Sequence, residues 1–421
     1  MQSRATAATV STVLDNDDLL GEVLLRVAQP TSLVRVALVC RRWLRVAADL
    51  NFLARFHDRH PPRLLGFYVH SAAHLRGAPR FAPMPGLPRE LAAIVRRAGS
   101  ALDAYATDVT STASVLDCLD GHLLVRLGDP NSHRDLVLSP MLPPAGRGGP
   151  PVVVAPPPPL SPSFYDHEAT WLKFRDDDDF PRSRRGVTVC AAWSHRADQT
   201  ISRYNLIDGA WHELCSSAPK TKIPPLIPPN LSYILIPFRD KIYLVSSASA
   251  IDQLRRSESS ETWNVSLVAF PDGVKYELRH KGKLQAWADS SFIYLIKVGT
   301  KKLQLRVWRY GIDSETWSLE DTICLRMVFA HSRVLTSVVS QDGRGVSKGT
   351  DVVIHRFGPR RGSMCMLLQV GNDVLYINIK SRTAEKVYTV APEDGDSIRL
   401  VPFDMIFSLV FPVINNDNDQ S

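Results

Sequence analysis

A short tryptophan-containing motif repeats along the chain at a nearly constant spacing, and this spacing restricts the folds that the chain can adopt. Glu261-Thr262-Trp263 recurs as Glu315-Thr316-Trp317, 54 residues later, and Asp208-Gly209-Ala210-Trp211 is a looser copy 52 residues before Trp263. Repeats of about 50 residues in a strand-rich sequence are typical of the blades of a kelch-type β-propeller. We therefore expect successive blades, with this tryptophan packed between neighbouring blades.

A tyrosine-containing motif follows the same period. Asp240-Lys241-Ile242-Tyr243-Leu244 and Phe292-Ile293-Tyr294-Leu295 are aligned 51 residues apart, and Asp373-Val374-Leu375-Tyr376-Ile377 is a weaker copy. We interpret this motif as an inner strand of each blade. Some 350 residues follow residue 60, so a period of about 50 predicts six or seven blades.

Beyond residue 61 the sequence contains many short β-type runs that are separated by turn residues. The runs are 64–69, 123–127, 187–193, 233–237, 242–246, 265–270, 292–298, 303–310, 334–339, 351–357, 364–370, 374–379 and 386–390. A helical pattern at 89–105 is the clear exception. The predicted fold class is α+β and multidomain: a small N-terminal helical domain, then an all-β, kelch-like propeller of about six or seven blades.

Residues 143–186 interrupt the pattern of strands. Prolines dominate the first part of this segment, which favours an extended polyproline conformation, and Asp176 to Asp179 form an acidic run near its end. We expect a solvated insertion within the domain spanning residues 61–414. A partner-binding loop on one face of the propeller is the alternative.

The N-terminal part of the chain, residues 13–60, carries a helical pattern. Leu19, Leu20, Val23, Leu24 and Val27 recur at helical spacing. Pro30 separates this helix from two further helical stretches, 33–44 and 46–56. These stretches hold more large apolar side chains than a three-helix packet of this size can bury. The surplus docks on the chain's own second domain or binds the helices of another protein, and the pattern favours neither.

The composition argues against most chemical functions. A formal charge of +7 on 421 residues is a small excess, and none of the six cysteines lies in a C-x-x-C pair. We expect no metal or other cofactor, and mostly buried free thiols. Gly345-Val346-Ser347-Lys348-Gly349 matches the nucleophile-elbow string, but a β-type run follows where the elbow needs a helix. We expect a glycine-rich hairpin there, and no enzymatic activity.

Targeting signals are not visible in the sequence. The first 18 residues lack the apolar core of a signal peptide, and the apolar stretch 401–414 is short and broken by Pro402, Asp404 and Pro412. We expect a protein of the cytoplasm, the nucleus or both, without membrane binding. The two ends, residues 1–12 and 415–421, are predicted to be disordered.

Two other functions stay open on the residues alone. The N-terminal segment is rich in arginine, as a DNA-binding helix would be, but no aromatic or amide residues stand beside the arginines for base readout. We therefore expect no nucleic acid. A stand-alone kelch-like propeller that binds carbohydrate or acts as an oxidase would need a ligand constellation around its central channel. We interpret Tyr243, Tyr294 and His355 as ordinary strand residues instead.

A resemblance to a known family rests on spaced residues in the N-terminal segment. They are Asp17-Asp18-Leu19-Leu20, Glu22-Val23-Leu24, Arg26-Val27, Pro30, Leu33, Arg35, Val39-Cys40-Arg41-Arg42-Trp43, Asp49 and Phe52. Over about 40 residues they resemble the F-box, whose usual line reads L-P-x-D-L-L-x-E-I-L-x-R-L, then x-P, L-x-R and V-C-K-x-W. The rest of the chain resembles the propeller-like associated domain of plant F-box proteins. The weaker cues there are Pro61-Pro62-Arg63-Leu64-Leu65-Gly66-Phe67-Tyr68, Asp120-Gly121-His122-Leu123-Leu124, Leu138-Ser139-Pro140 and Leu142-Pro143-Pro144.

This resemblance implies a substrate receptor of a cullin-type ubiquitin ligase of the SCF class. The F-box at 13–60 would bind an SKP-type adaptor, and through it a cullin scaffold, while the propeller at 61–414 would bind an unknown target protein. The implied adaptor-binding residues are Leu19, Leu20, Val23, Leu24, Pro30, Leu33, Val36, Val39, Cys40 and Trp43. The family's opening Leu-Pro pair falls on Asp15-Asn16 here, at the adaptor contact, so the strength of adaptor binding stays open.

Overall fold

A computed structural model describes most of the helical segment and the strands of the chain. The described residues are 16–27, 30–60, 63–71, 79–103, 113–119, 121–129, 132–140, 152–155, 167–174, 187–195, 198–207, 210–217, 235–238, 241–245, 250–256, 263–275, 282–288, 292–299, 302–332, 352–360, 363–394 and 398–404. The predicted disordered ends, the predicted strand at 334–339 and the glycine-rich string at 345–349 lie outside them. The chain divides into two compact units, residues 1–63 with 405–421, and residues 64–404.

Four short helices form the described part of the first unit. They are α1 (Asp17–Leu24), α2 (Pro30–Ala37), α3 (Arg41–Ala48) and α4 (Leu50–Arg59). Pro30 is the first residue of α2, a position where its missing N–H costs no hydrogen bond. Helix α3 contacts each of the other three helices. The unit is therefore organised around α3, whose one buried position is the small residue Ala47.

The prediction of three helical stretches was wrong at two boundaries. The stretch 33–44 is divided, because α2 ends at Ala37 and Cys40 adopts an extended conformation before α3 begins. The stretch 46–56 is divided at Asp49, whose Oδ1 accepts a hydrogen bond of 2.9 Å from the backbone N–H of Phe52. This cap satisfies a donor that the first turn of α4 would otherwise leave unpaired, so a new helix begins there.

Six antiparallel sheets make up the described part of the second unit, five of four strands and one of three. The four-stranded sheets, in chain order, are β3 (Ala113–Leu119), β4 (His122–Asp129), β5 (Ser132–Ser139) and β6 (Val152–Ala155); β7 (His167–Phe174), β8 (Val187–His195), β9 (Asp198–Ile207) and β10 (Ala210–Ser217); β11 (Leu235–Phe238), β12 (Lys241–Val245), β13 (Ala250–Arg256) and β14 (Trp263–Ala269); β15 (Leu284–Ala288), β16 (Phe292–Gly299), β17 (Gln304–Gly311) and β18 (Thr316–Cys324); β19 (Val352–Arg360), β20 (Ser363–Val370), β21 (Asp373–Asn378) and β22 (Thr383–Thr389). Each is a meander in which consecutive strands pair.

The three-stranded sheet joins the beginning and the end of the second unit. It contains β1 (Leu64–Ser71), β2 (Arg80–Pro83) and β23 (Ile398–Asp404), in the order β2-β1-β23. In this register Phe67 lies opposite both Ala82 and Pro402. Two helices accompany the sheets, α5 (Ala92–Gly99), which follows a 3₁₀ turn at Arg89–Leu91, and α6 (Leu325–His331). The helical pattern at 89–105 is therefore confirmed over its first part, whereas α6 was not predicted.

The repeated motifs occupy defined places in successive sheets. Trp211, Trp263 and Trp317 all stand at the start of a fourth strand, in β10, β14 and β18 respectively. Tyr243 and Tyr294 lie in the second strands β12 and β16, each of which has a neighbour on both sides. The weaker tyrosine copy was wrongly aligned, because the 373–377 motif forms the third strand of its sheet, β21. The period thus identified equivalent strands in two sheets and failed in a third.

Apolar side chains on both faces of a sheet hold neighbouring sheets together. In β16, Ile293 and Leu295 pack towards the end of β14, whereas Ile296 and Val298 pack towards β19 to β21. The cluster between the sheets β15–β18 and β19–β22 also takes in Val328 and other residues of α6. A third cluster joins β20 and β21 to β1 and β23. Each of these faces buries aliphatic side chains that one isolated sheet would leave in water.

Trp317 packs between neighbouring sheets, as the repeat predicted. Its indole Nε1–H donates a hydrogen bond of 2.7 Å to the carbonyl of Ala269, at the end of the preceding sheet. Its ring lies 5.1 Å from the ring of Tyr310. The side chains of Trp211 and Trp263 lie outside the part of the chain that the structure describes.

The first strands of several sheets contact one another. β3 contacts β7, β11 contacts β15, β15 contacts β19, and β23 contacts both β3 and β19. Side chains reinforce this row: Arg399 on β23 donates to the carbonyls of Val115 and Leu116, at 2.8 and 2.6 Å, and Gln285 on β15 donates to that of Ile354, at 3.2 Å. These first strands and β23 therefore lie side by side in the second unit.

The segment 143–186 is not one continuous insertion, which corrects that prediction. Its described residues contain β6, which pairs with β5, and β7, which pairs with β8. β6 has only one hydrogen-bonded neighbour, a position at which nearby prolines do not interrupt a ladder. The acidic run and its surroundings at 175–186 lie outside the described residues.

The expectation of mostly buried thiols holds for only part of the chain. Cys118 and Cys365 are buried free cysteines, whereas Cys40 and Cys324 are exposed. The side chains of Cys190 and Cys215 are outside the described set.

A glycine pair offers a direct test of how closely β15 and β19 approach. Gly282 and Gly273 both have positive φ, +78° and +76°, but a Cβ at Gly282 would lie 2.6 Å from Cγ1 of Val353, whereas one at Gly273 would meet nothing within 4 Å. We predict that Gly273→Ala loses about 1–2 kcal/mol through backbone strain alone. Gly282→Ala should lose about 1–3 kcal/mol more, because Val353 is rigid at χ1. Equal losses in chemical denaturation would contradict this packing.

His355 predicts acid sensitivity of the second unit. Its Nε2 lies 2.8 Å from Oε1 of Gln369, and burial lowers the pKa of His355 to about 4. The unfolded chain, with a histidine pKa of about 6.5, binds this proton more readily. The free energy of unfolding should therefore fall as the pH drops from about 6.5 towards 4. Denaturation at several pH values should show a weaker dependence for His355→Gln and an unchanged one for the exposed His331→Gln; identical slopes in all three proteins would refute the role of His355.

Candidate functional site

Large exposed apolar side chains are concentrated in the helical unit. Within the described residues seven large hydrophobic side chains are exposed, and five of them belong to this small unit. These five, here called the exposed apolar set, are Leu19 (45%), Val23 (43%), Leu38 (73%), Val39 (65%) and Leu50 (58%). Single exposed apolar residues are ordinary, whereas several together are typical of interaction surfaces, so this set is the candidate surface of the unit.

Helix α1 divides its apolar residues between two faces. Leu20 and Leu24 are buried, while Leu19 and Val23, four residues apart, share the exposed face. Gly21 lies on the buried face of α1, where a Cβ would be 4.0 Å from the side chains of Val46 and Phe52. The buried face therefore fixes α1 on its own unit and turns Leu19 and Val23 outward.

Asn16 fixes the start of α1, and the sequence analysis missed this role. Its Oδ1 accepts hydrogen bonds from the backbone N–H groups of Asp18, at 2.9 Å, and Leu19, at 3.1 Å. Asp17 and Asp18 in the first turn add negative charge where the helix dipole favours it. An asparagine directly before the apolar helical spacing was the available signal. Where the F-box line has a Leu-Pro pair, this chain thus has a helix cap.

The turn between α2 and α3 exposes three consecutive residues, Leu38, Val39 and Cys40. The turn is held by hydrogen bonds from Val39 N–H to Val36 O, 3.1 Å, and from Leu44 N–H to Cys40 O, 3.0 Å. The N–H groups of Leu38 and Val39 are therefore satisfied by carbonyls of α2, while their side chains stay exposed.

The ten residues implied as adaptor contacts are not equivalent in the structure. Leu19, Val23, Val39 and Cys40 are exposed, and Val36 and Trp43 are half-buried. Leu20, Leu24 and Leu33 are at most 1% exposed, so in this structure they support the surface from beneath rather than form it. The side chain of Pro30 lies outside the described residues. Leu38 and Leu50 are exposed apolar residues that the sequence analysis did not include.

The shortness of the helices explains this difference. The apolar spacing of α1 does not separate residues that pack within the unit from residues that contact a partner, and α1 packs on α3 with Leu20 and Leu24 on the inner face. The rings of Phe52, Phe56 and His60 form a neighbouring packed group. His60 Nε2 also lies 2.8 Å from the carbonyl of Leu25, which ties the end of α4 to the end of α1.

Ion pairs connect α1 to the later helices. Arg42 Nη2 lies 2.7 Å from Asp17 Oδ1, and Arg55 pairs with Glu22. Arg26 also lies beside Glu22, and its Nη1 donates to the Glu22 carbonyl at 2.6 Å. Exposed pairs of this kind contribute little stability individually. They do partly neutralise the arginines of the helical unit.

Neither a membrane-spanning helix nor a metal-binding cluster is found among the described residues. Across the described residues no helix is both long enough and apolar enough to cross a membrane. The same residues contain no cluster of three or more His, Cys, Asp or Glu side chains arranged to hold a metal ion.

Solved structures resemble the chain only distantly. A fungal lectin from Aleuria aurantia with a six-bladed β-propeller fold is 12% identical, with a TM-score of 0.34, over 68% of this chain and 78% of the lectin. An α-L-arabinofuranosidase from Fusarium graminearum is 12% identical, with a TM-score of 0.30, over 65% of this chain and 79% of the enzyme. Matches at these TM-scores support no conclusion about function. No curated protein matches the chain in sequence.

A family model gives the decisive comparison. The model described as "F-box protein AT5G49610-like, beta-propeller" matches residues 114–411, which is more than half of the chain. The match covers most of the sheets of the second unit, and the F-box-like residues precede it on the four helices of the first. The chain therefore belongs to the family of AT5G49610-like F-box proteins, with a β-propeller domain in its C-terminal part.

Proposed function

We propose that this chain is the substrate-recognition subunit of an SCF-type cullin ubiquitin ligase. The helical unit binds an SKP-type adaptor, and through it a cullin scaffold, while the propeller holds a target protein. The observation that carries the proposal is the exposed apolar set on a helical unit that precedes a propeller of an F-box protein family. A unit of this size has no stability reason to keep five such side chains in water.

The energetics of the exposed apolar set support a stable complex. Burying a leucine or valine side chain contributes about 1.5–3 kcal/mol. The association of two proteins costs about 4–15 kcal/mol. The burial of five such residues exceeds the lower end of this range. Leu19 and Val23 present one helix face, and Leu38 and Val39 present a turn, so the surface offers groups of apolar side chains. An adaptor with exposed apolar helices is the matching partner.

No chemical step is assigned to this chain. Its contribution is proximity, because a target held on the propeller experiences a high effective concentration of the ubiquitin-charged enzyme on the same scaffold. The chain acts as a receptor without enzymatic activity or cofactor, and it works in the cytoplasm, the nucleus or both.

The propeller is proposed to be kelch-like with six blades. The six sheets of the described residues and the shared placement of Trp211, Trp263 and Trp317 support this number, the lower of the two predicted. The other candidate functions gain less support. Arg26, Arg42 and Arg55 are engaged with Glu22 or Asp17, which favours a protein partner over nucleic acid.

The adaptor proposal predicts the effect of charge on the exposed apolar set. Leu19→Asp combined with Val39→Asp should reduce adaptor capture by at least about 100-fold, because two carboxylates would have to be buried without partners. Both positions are exposed, so the fold should be unaffected. The measurement is co-purification of the full chain with an SKP-type adaptor, quantified by titration.

Met327→Asp is the matched control, since Met327 is 68% exposed but lies on α6 of the propeller. This variant should capture adaptor as well as the original chain does. Unchanged capture by the double variant, or equal loss in the control, would contradict the proposed surface.

A further inference from the structure

A cavity of about 610 Å³ opens on the propeller between the end of β14 and the strands β17 and β18. Its size is typical of small-ligand sites. The residues that line it and bear on its chemistry are Asp272, Trp308, Tyr310, Glu315, Trp317 and Leu319. Together with Phe270, four aromatic rings and two carboxylates thus share one site, outside the surface proposed for the adaptor.

Two of the aromatic rings form a fixed corner. The indole N–H of Trp317 is held by the carbonyl of Ala269 at 2.7 Å, which sets the orientation of the ring. The ring of Tyr310 lies 5.1 Å away at an interplanar angle of 51°. Trp308 is 7% exposed and Tyr310 6%, so both rings are fixed by the core and form a preformed base for the half-buried Trp317. A cation that enters the cavity lies within reach of the Trp317 ring, with the edge of Tyr310 beside it.

Glu315 is placed at this corner by the backbone. It has φ of 53°, a left-handed conformation that a non-glycine residue rarely adopts, and its N–H donates to the carbonyl of Gly311 at 2.8 Å. Burial first, and then the charge of Glu315, raise the pKa of Tyr310. The carboxylate therefore acts on the hydroxyl end of the aromatic corner.

Asp272 and Glu315 have no ion-pair partner among the described residues. The nearby Arg309 is engaged elsewhere, because its Nε lies 3.3 Å from Glu320 and its guanidinium lies over the ring of Phe292. The cavity thus combines two carboxylates with apolar walls, in a chain whose formal charge is +7. A purely apolar occupant would desolvate these carboxylates without compensation.

We propose that this cavity binds a cationic side chain, an arginine or a lysine, that the target protein presents. The cationic group lies against Trp317 and Tyr310 and is neutralised by Glu315 and Asp272, and the exposed Leu319 at the rim covers the aliphatic stem. The identity of the donor as a target protein rests on the proposed function, whereas the chemistry of the site does not. The proposal also accounts for the glutamate of the repeated Glu-Thr-Trp motif, which the packing of Trp317 leaves unexplained.

The test uses small probes and the full chain, so that its outcome is independent of adaptor binding. N-acetylarginine methylamide should bind with a dissociation constant on the order of 1–10 mM, measured by calorimetry or by NMR of the indole N–H signals. The citrulline analogue has the same shape without the charge, and it should bind at least about tenfold more weakly. Equal binding of the two probes would overturn the proposal, as would no saturable binding of the arginine probe.

Matched variants locate the binding. Glu315→Gln keeps the size of an exposed side chain and should weaken the arginine probe about threefold to tenfold. Glu320→Gln removes a carboxylate of β18, the strand that follows Glu315, outside the cavity, and should leave binding unchanged. Equal effects of the two variants would show a general charge effect and would overturn the site. Failure of this test with intact adaptor capture would leave the proposed function standing.

Discussion

The fold of the propeller depends on burying apolar side chains from both faces of each sheet. Leu295 and Ile296 are adjacent on β16, yet they belong to two separate clusters on opposite faces of the sheet. A sheet that is apolar on both faces is not stable alone in water, because each face needs a covering layer. Neighbouring sheets provide that layer, and the same constraint leaves turns and outer strands free to vary. Candidate binding residues such as Glu315 and Leu319 lie on these outer parts.

The helical unit, by contrast, leaves five of its large apolar side chains exposed. Its helices are eight to ten residues long, too short to be stable as isolated helices, so they depend on caps and on packing around α3. Leu20, Leu24 and Leu33 meet that need, and the exposed apolar set lies on the same short elements. Folding and the proposed adaptor binding therefore use opposite faces of α1. This division explains why a variant at Leu20 would report on folding, and one at Leu19 on binding.

The sequence predicted strands best where both faces are buried. The run 292–298 is apolar except for Lys297, and 303–310 contributes buried side chains to two clusters although it also contains Gln304, Arg306 and Arg309; they correspond to β16 and β17. Strand β13 was missed because it carries several charged or polar residues, although it has a neighbour on both sides. Strand β18 was missed for the same reason, since most of its side chains are exposed and its hydrophobic pattern does not distinguish it from a loop. The helix boundaries at Cys40 and Asp49 were missed for a related reason, because capping is local chemistry that periodicity does not record.

The sequence predicted several residues of the candidate surface on the helices, but it did not predict which of them are exposed. Spacing identified Leu19, Leu20, Val23 and Leu24 together, and only the packing of α1 on α3 separates inner from outer residues. On the propeller the repeat also predicted a packing position, because Trp317 must lie next to the preceding sheet if the period reflects blades. Glu315, the residue before Thr316, then lies in the turn that leads into β18, close to Trp317. A glutamate repeated at that position is therefore constrained in place by the repeat itself, while its charge is required by nothing in the core.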